Sequence, residues 1–142
     1  MKELKFRAFH KPSKKMFDVC CLDFKNKMIS SRQKVIGQGK RVYFDTVDYD
    51  FHECKLMQFT GLKDIDGKEI FEGDIIQDIN DNNSLRYGKD NNLTPVEFYN
   101  GSFGISVIFD GAFVPLYPYE EDGFKVKVVG NIHQNHELLE KK

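Results

Sequence analysis

The chain has 142 residues, 40% of them hydrophobic, with 13 Phe, 6 Tyr and no Trp, which is apolar material for one domain or two small subdomains sharing a core. Its net charge of −1 conceals a polarity: Met1 to Asp45 carries 12 Lys+Arg against 4 Asp+Glu, a net of +8, and the remainder carries 9 against 18, a net of −9. No apolar run approaches the roughly 18 residues of a membrane span, Met1-Lys2-Glu3-Leu4-Lys5 leads into a mixed segment rather than a secretory signal, and three cysteines, two of them adjacent, suit a reducing compartment, so the expectation is a soluble protein of the cytoplasm.

Leu4 to Phe9 alternates apolar and basic residues with period 2 and predicts a strand. His10-Lys11-Pro12-Ser13-Lys14-Lys15 is a polar turn, and Met16 to Phe24 is apolar enough for a strand packed on both faces. Lys25-Asn26-Lys27 predicts a turn before Met28-Ile29. Gly37-Gln38-Gly39 separates Val35-Ile36 from Arg41-Val42-Tyr43-Phe44, again strand, turn, strand. The first third thus reads as a meander. Asp45 to Phe51 is acidic and aromatic without a clear period and reads as a connector into a strand over Glu53 to Thr60.

The run from Met57 to Ile76 holds two turns between short apolar steps. Asp66-Gly67 supplies the positive φ that a hairpin needs, since glycine takes it without a Cβ penalty, and Glu72-Gly73-Asp74 predicts a bulge or corner before Ile75-Ile76. Beyond it, the polar stretches from Asp78 to Ser84 and Gly88 to Asn92 bracket only Leu85-Arg86-Tyr87 and read as a mobile loop. Thr94 to Tyr99, Gly104 to Phe109, Ala112 to Val114 and Phe124 to Val129 are four strand candidates, with Asn100-Gly101 and Asp110-Gly111 as type I′ turns. Only His133 to Glu140 can form a helical turn or two.

The central run Gln58-Phe59-Thr60-Gly61-Leu62-Lys63-Asp64, continued by Asp66-Gly67-Lys68-Glu69-Ile70-Phe71-Glu72-Gly73-Asp74-Ile75-Ile76, resembles the signature of the YopX family of phage and prophage proteins. Lys5-Phe6-Arg7-Ala8-Phe9 is similar to that family's opening strand. The closing segment is matched by Val128-Val129-Gly130-Asn131-Ile132-His133, Asn135 and Glu137-Leu138-Leu139. The resemblance implies a small, mostly β protein made in the host cytoplasm from a phage or prophage gene. It implies no activity and no site residues.

Motif by motif, no catalytic or metal-binding pattern is matched. Aligning Asp64-Ile65-Asp66-Gly67 with a calcium loop puts Leu62, Ile70 and Gly73 at positions that need oxygen ligands, so turn chemistry explains it. Gly37-Gln38-Gly39-Lys40 lacks the upstream glycine of a phosphate loop and has Arg41 where Ser or Thr would hold magnesium. Cys20, Cys21, His52 and Cys54 lack the paired spacing of structural zinc sites. His133 and His136, three apart, have no third ligand. No catalytic residue, metal or cofactor is assigned.

The remaining feature is the basic third. Lys14, Lys15, Lys25, Lys27, Arg32, Lys34, Lys40 and Arg41 fall mostly in or beside predicted turns, where cations can follow a phosphate backbone, with Phe and Tyr interleaved. Most of those aromatics read as core.

The expected architecture is all-β: a small SH3-like β-barrel over residues 57–142, with an N-terminal basic β-meander over residues 1–56 packed on it as one compact unit and little helix besides a C-terminal turn. The expected function is a non-enzymatic phage accessory protein that binds a host or phage protein and self-associates through its oppositely charged parts. The alternative is nucleic-acid binding through the basic third.

Overall fold

The computed structural model describes residues 3–79, 93–106, 112–116 and 125–140. The chain divides into two units, Lys5–Met57 and Met1–Leu4 with Gln58–Lys142. Both are predominantly β-sheet, and among the described residues the one α-helix, α1 (Glu137–Glu140), has four residues.

In the unit Lys5–Met57, β1 (Phe6–His10) and β2 (Lys15–Asp18) pair antiparallel from Arg7↔Asp18 to His10↔Lys15. The stretch expected as one strand from Met16 to Phe24 breaks at Val19-Cys20. Val19 N–H still donates to Phe6 O, at 3.1 Å, but Cys20 N–H donates to Ser30 O, at 2.9 Å, so the chain crosses from one sheet to another. β3 (Cys21–Asp23) then starts the sheet β3-β4-β5. Neither β2 nor β3 is buried on both faces.

β4 (Met28–Ile36) and β5 (Val42–Asp50) pair over nine positions, from Met28↔Asp50 to Ile36↔Val42. The expected connector over Asp45 to Phe51 is therefore strand as far as Asp50. Aspartate is disfavoured in strands, but β5 is an outer strand among the described residues, where charged side chains reach water. β6 (Cys54–Lys63) joins β1, giving the order β2-β1-β6. The core gathers buried Ala8, Ile29 and Cys54 under Phe17, Val19, Leu22, Tyr49, Phe51 and Leu56. Tyr49 stacks on Phe17 with centroids 4.4 Å apart, a geometry worth about 1 kcal/mol beyond area burial.

In the other unit, the second half of β6 pairs with β7 (Glu69–Phe71) at Lys63↔Glu69 and Phe59↔Phe71, with a bulge between them. The corner expected at Glu72-Gly73 is present. Gly73 has φ 82°, a conformation that costs a Cβ-bearing residue about 1–2 kcal/mol. There the chain leaves the partner of β6 and enters β8 (Asp74–Asp78), the middle strand of the sheet β13-β8-β9.

β9 (Leu93–Pro95) is followed by the sheet β10-β11-β12, formed by Glu97–Tyr99, Ser102–Ser106 and Phe113–Pro115. Asn100 (φ 50°) and Gly101 (φ 78°) link β10 to β11, and two positive φ values in a two-residue connection are what a type I′ turn requires. β13 (Val126–Asn131) returns to β8 with a bulge between Val128 and Gly130. Among the described residues a core cluster forms from Ile70, Ile76, Val96, Ile105, Val126 and Val128, with Leu62, Phe103, Val114 and Leu116 packed on it. The loop expected from Asp78 to Asn92 starts later than expected, since Asp78 is the buried last residue of β8; residues 80–92 and the Asp110-Gly111 turn lie outside the described residues.

Candidate functional site

The two nine-residue strands of the β4–β5 hairpin outrun their neighbour. β3 covers β4 only from Cys21↔Ser30 to Asp23↔Met28, so from Arg32 to the tip the sheet is a ribbon two strands wide among the described residues. Residues opposite each other in an antiparallel pair share a face, and faces alternate along the strand. One face near the base holds Ile29, Ser31 and Tyr49 in the core, where Gln33 Nε2 donates to the Tyr49 hydroxyl at 2.8 Å. The opposite face carries Arg32, Lys34 and Ile36 from β4 with Val42, Phe44 and Thr46 from β5.

That outer face is apolar and basic together. Ile36 is 71% exposed, Phe44 60% and Val42 54%, while Tyr43 on the other face is 49% exposed. Large apolar side chains left to water in a cluster mark an interaction surface more often than chance placement. The Arg32 guanidinium lies 5.4 Å from the Phe44 ring centroid, a cation–π contact between the two side chains. At the tip, Gly37 N–H donates to Arg41 O at 2.8 Å, closing a loop that presents exposed Lys40 and Arg41.

The eight cations singled out in the sequence divide among three places. Arg32, Lys34, Lys40 and Arg41 share the arm, and no acid lies between Arg32 and Phe44. Lys25 and Lys27 sit at the turn before β4, about 30 Å from the tip at the rise of a nine-residue strand. Lys14 lies in the β1–β2 turn and Lys15 opens β2. All eight are exposed. The aromatics taken as core are not all core: Tyr43 and Phe44 stand on the arm. A period-2 count back from Gly37 puts Ile36, Lys34 and Arg32 on one face, and a face bearing Lys and Arg is a poor candidate for burial.

A second cluster was not foreseen. His10 Nδ1 lies 2.6 Å from Ser13 Oγ, and His10 Nε2 lies 3.3 Å from Glu53 Oε2. The sequence hydroxyl, imidazole, carboxylate is that of a hydrolytic triad, but the ring is turned the other way, since a triad places the hydroxyl on Nε2. Ser13 N–H also points at Nδ1, at 3.4 Å, and Lys11 N–H donates to Glu53 O at 2.9 Å. His10 therefore fastens the β1–β2 turn to the turn before β6.

Other polar groups organise turns. Asp50 accepts from His52 N–H at 3.2 Å and lies 2.6 Å from His52 Nδ1; these hydrogen bonds hold its carboxyl below the ordinary range. Asn26 N–H and its amide do the same for Asp23. Burial pushes the Cys54 thiol up, whereas Cys20 and Cys21 are exposed. Among the described residues no three His, Cys, Asp or Glu side chains form a metal-binding group, and no helix is long and apolar enough to cross a membrane.

The residues of the central run serve architecture. Asp64 is buried, its Oδ1 accepting the N–H groups of Asp66 and Lys68, each at 2.9 Å, and its Oδ2 that of Val128 at 3.0 Å. Asn131 Oδ1 accepts from His133 N–H at 3.1 Å and Gln134 N–H at 2.9 Å. The comparisons agree with this distribution of the resemblance along the chain. A search of curated proteins gives no match. Among solved structures the chain is similar to protein EF1440 from Enterococcus faecalis, with 29% identity, a TM-score of 0.63, and 98% of this chain and 99% of that one covered. The family model described as YopX protein matches residues 5–140, both ends and the central run included, so this chain belongs to the YopX family.

Proposed function

We propose that this is a non-enzymatic phage or prophage accessory protein of the host cytoplasm, which binds a host or phage protein through the outer end of the β4–β5 arm. The observation that supports this reading is the exposure of Ile36, Val42, Tyr43 and Phe44 on a ribbon two strands wide. Side chains of this kind gain free energy when they leave water for another apolar surface. The phage setting rests on the family, and an SH3-like barrel for the C-terminal unit is supported by the glycine corner at Gly73 and by short strands sharing one core.

The test is capture from nuclease-treated lysate of infected cells, comparing tagged wild type with the Ile36→Ser/Phe44→Ser variant. A protein recovered with wild type and lost with the variant supports the arm as the contact. Identical recovery with both removes it.

A nucleic-acid reading is favoured by a different observation, the four cations of the arm with no acid among them. Phosphate binding by such a ribbon falls steeply with salt, with a slope that scales with the number of contacts. Fluorescence anisotropy on single-stranded and duplex oligonucleotides decides it: the expected loss is in the Lys40→Glu/Arg41→Glu variant, and affinity indifferent to salt and to those charges rejects it.

A further inference from the structure

We infer that the partner taken by the arm is a second copy of this chain, paired antiparallel along the outer edge of β5 about a two-fold axis at Phe44. The inference rests on the arm being a protein-binding surface and names its occupant.

Three observations carry it. First, β5 is an outer strand among the described residues. The bond from Gly37 N–H to Arg41 O sets the ladder so that Tyr43, Asp45, Val47 and Tyr49 exchange backbone bonds with β4, which directs the N–H and C=O groups of Val42, Phe44, Thr46 and Asp48 away from it. Thr46 N–H donates to the carboxylate of the adjacent Asp45, at 2.8 Å, a local substitute for a strand partner, which this edge lacks among the described residues.

Second, β5 and its approach carry a charge gradient. Lys40 and Arg41 stand at the tip end, and Asp45, Asp48 and Asp50 toward the base. Antiparallel pairing of two copies sets the basic end of each against the acidic end of the other, whereas parallel pairing sets like against like. The same gradient makes the strand complementary to itself, which is the condition for a two-fold interface.

Third, the apolar residues select the register. With Phe44 on the axis, Phe44 faces Phe44 of the second copy, Val42 faces Thr46, and Arg41, extended just before the strand, stands diagonal to Asp45. Centring on Asp45 sets that carboxylate against itself, and centring on Thr46 sets Val42 against Asp50. Both bring an acid against a partner it repels or desolvates, and centring on Tyr43 pairs only Val42 to Phe44 within the two strands, against Val42 to Thr46 for Phe44. Pairing about Phe44 continues the β3-β4-β5 sheet into the second copy. It also covers an edge that would otherwise invite indiscriminate strand addition.

The experiment is light scattering coupled to size-exclusion chromatography on the full chain up to about 100 µM, with circular dichroism to confirm folding of each variant. Wild type is expected to be dimeric or a higher even oligomer. Phe44→Ser should weaken association about tenfold or more, as loss of a central aromatic anchor does. Asp45→Lys should also weaken it, and the swap Arg41→Asp/Asp45→Lys should restore it. In a Cys20→Ser/Cys21→Ser background, Phe44→Cys should form an intermolecular disulfide on mild oxidation, because directly paired residues have Cα atoms about 5.5 Å apart.

A monomer at that concentration overturns the inference, as does an oligomer unaffected by Phe44→Ser. A monomer that still loses a captured partner on Ile36→Ser/Phe44→Ser overturns self-pairing and leaves the arm as a protein contact. If neither association nor capture responds to the arm, both readings fail together. Oligonucleotide binding by a monomer, lost on Lys40→Glu/Arg41→Glu, assigns the surface to nucleic acid.

Discussion

The Asp64 carboxylate accepts the backbone N–H of Val128 at 3.0 Å, joining the β6–β7 turn to β13 across 64 positions of the chain. The same carboxylate takes two N–H groups of its own turn, and Ile65 N–H donates to Val126 O at 3.0 Å beside it. One buried side chain thus fixes a local turn and a distant strand at once.

Asp64→Ala should leave three backbone donors without that acceptor and lower stability by about 3 kcal/mol or more, at roughly 1–3 kcal/mol for each unsatisfied buried group. Asp64→Asn should cost less, about 2 kcal/mol, because one oxygen still accepts while the amide meets another donor. Urea midpoints at constant slope measure both.

Gly130 sits where a Cβ would come within 2.7 Å of Asn135 Oδ1 and 2.9 Å of Asn135 Cβ and Cγ. Asn135 is held there because Oδ1 accepts from Asn131 N–H at 3.2 Å and its own N–H donates to Asn131 O at 2.8 Å. Gly130→Ala should therefore destabilise by about 1–3 kcal/mol, the range for overpacking. Asn135→Gly in that background should recover part of the loss, read by thermal unfolding.

Burial pushes the Glu72 carboxyl above its ordinary value. A raised folded-state value means that the ionised form is disfavoured by folding, so the penalty is present above the folded value and disappears as pH falls below the unfolded one. Glu72→Gln should be neutral or stabilising at pH 7, and its advantage over wild type should vanish at acid pH. A pH series of denaturation midpoints for the two proteins shows the convergence.

Phe44 is exposed and should be separable from folding. Phe44→Ser is expected to change monomer stability by less than about 1 kcal/mol, whereas Ile29→Ala, in the core of the same unit, should cost about 2–5 kcal/mol. A large loss for Phe44→Ser in chemical denaturation of dilute protein would show that the arm end is packed in solution.

Legibility followed the range of the forces involved. The Asn100-Gly101 turn and the Gly73 corner were readable because positive φ is a local steric demand that few residues satisfy. β5 beyond Asp45 was not, because its acids oppose strand propensity and only the nine-position ladder with β4 outweighs them. Val19-Cys20 was hidden for the opposite reason: the segment looks continuous in hydrophobicity, and the break exists because two different strands claim its two halves.

By itself the sequence determined the β class, the Asp66-Gly67 and Asn100-Gly101 turns and the family, because period-2 patterning, glycine placement and a long motif are carried by neighbouring residues. Only the tertiary structure decided which apolar residues are buried and which stand on the arm, and that Asp64 meets Val128. Burial belongs to the meeting of two faces, and which faces meet depends on strand pairings between residues far apart in the chain.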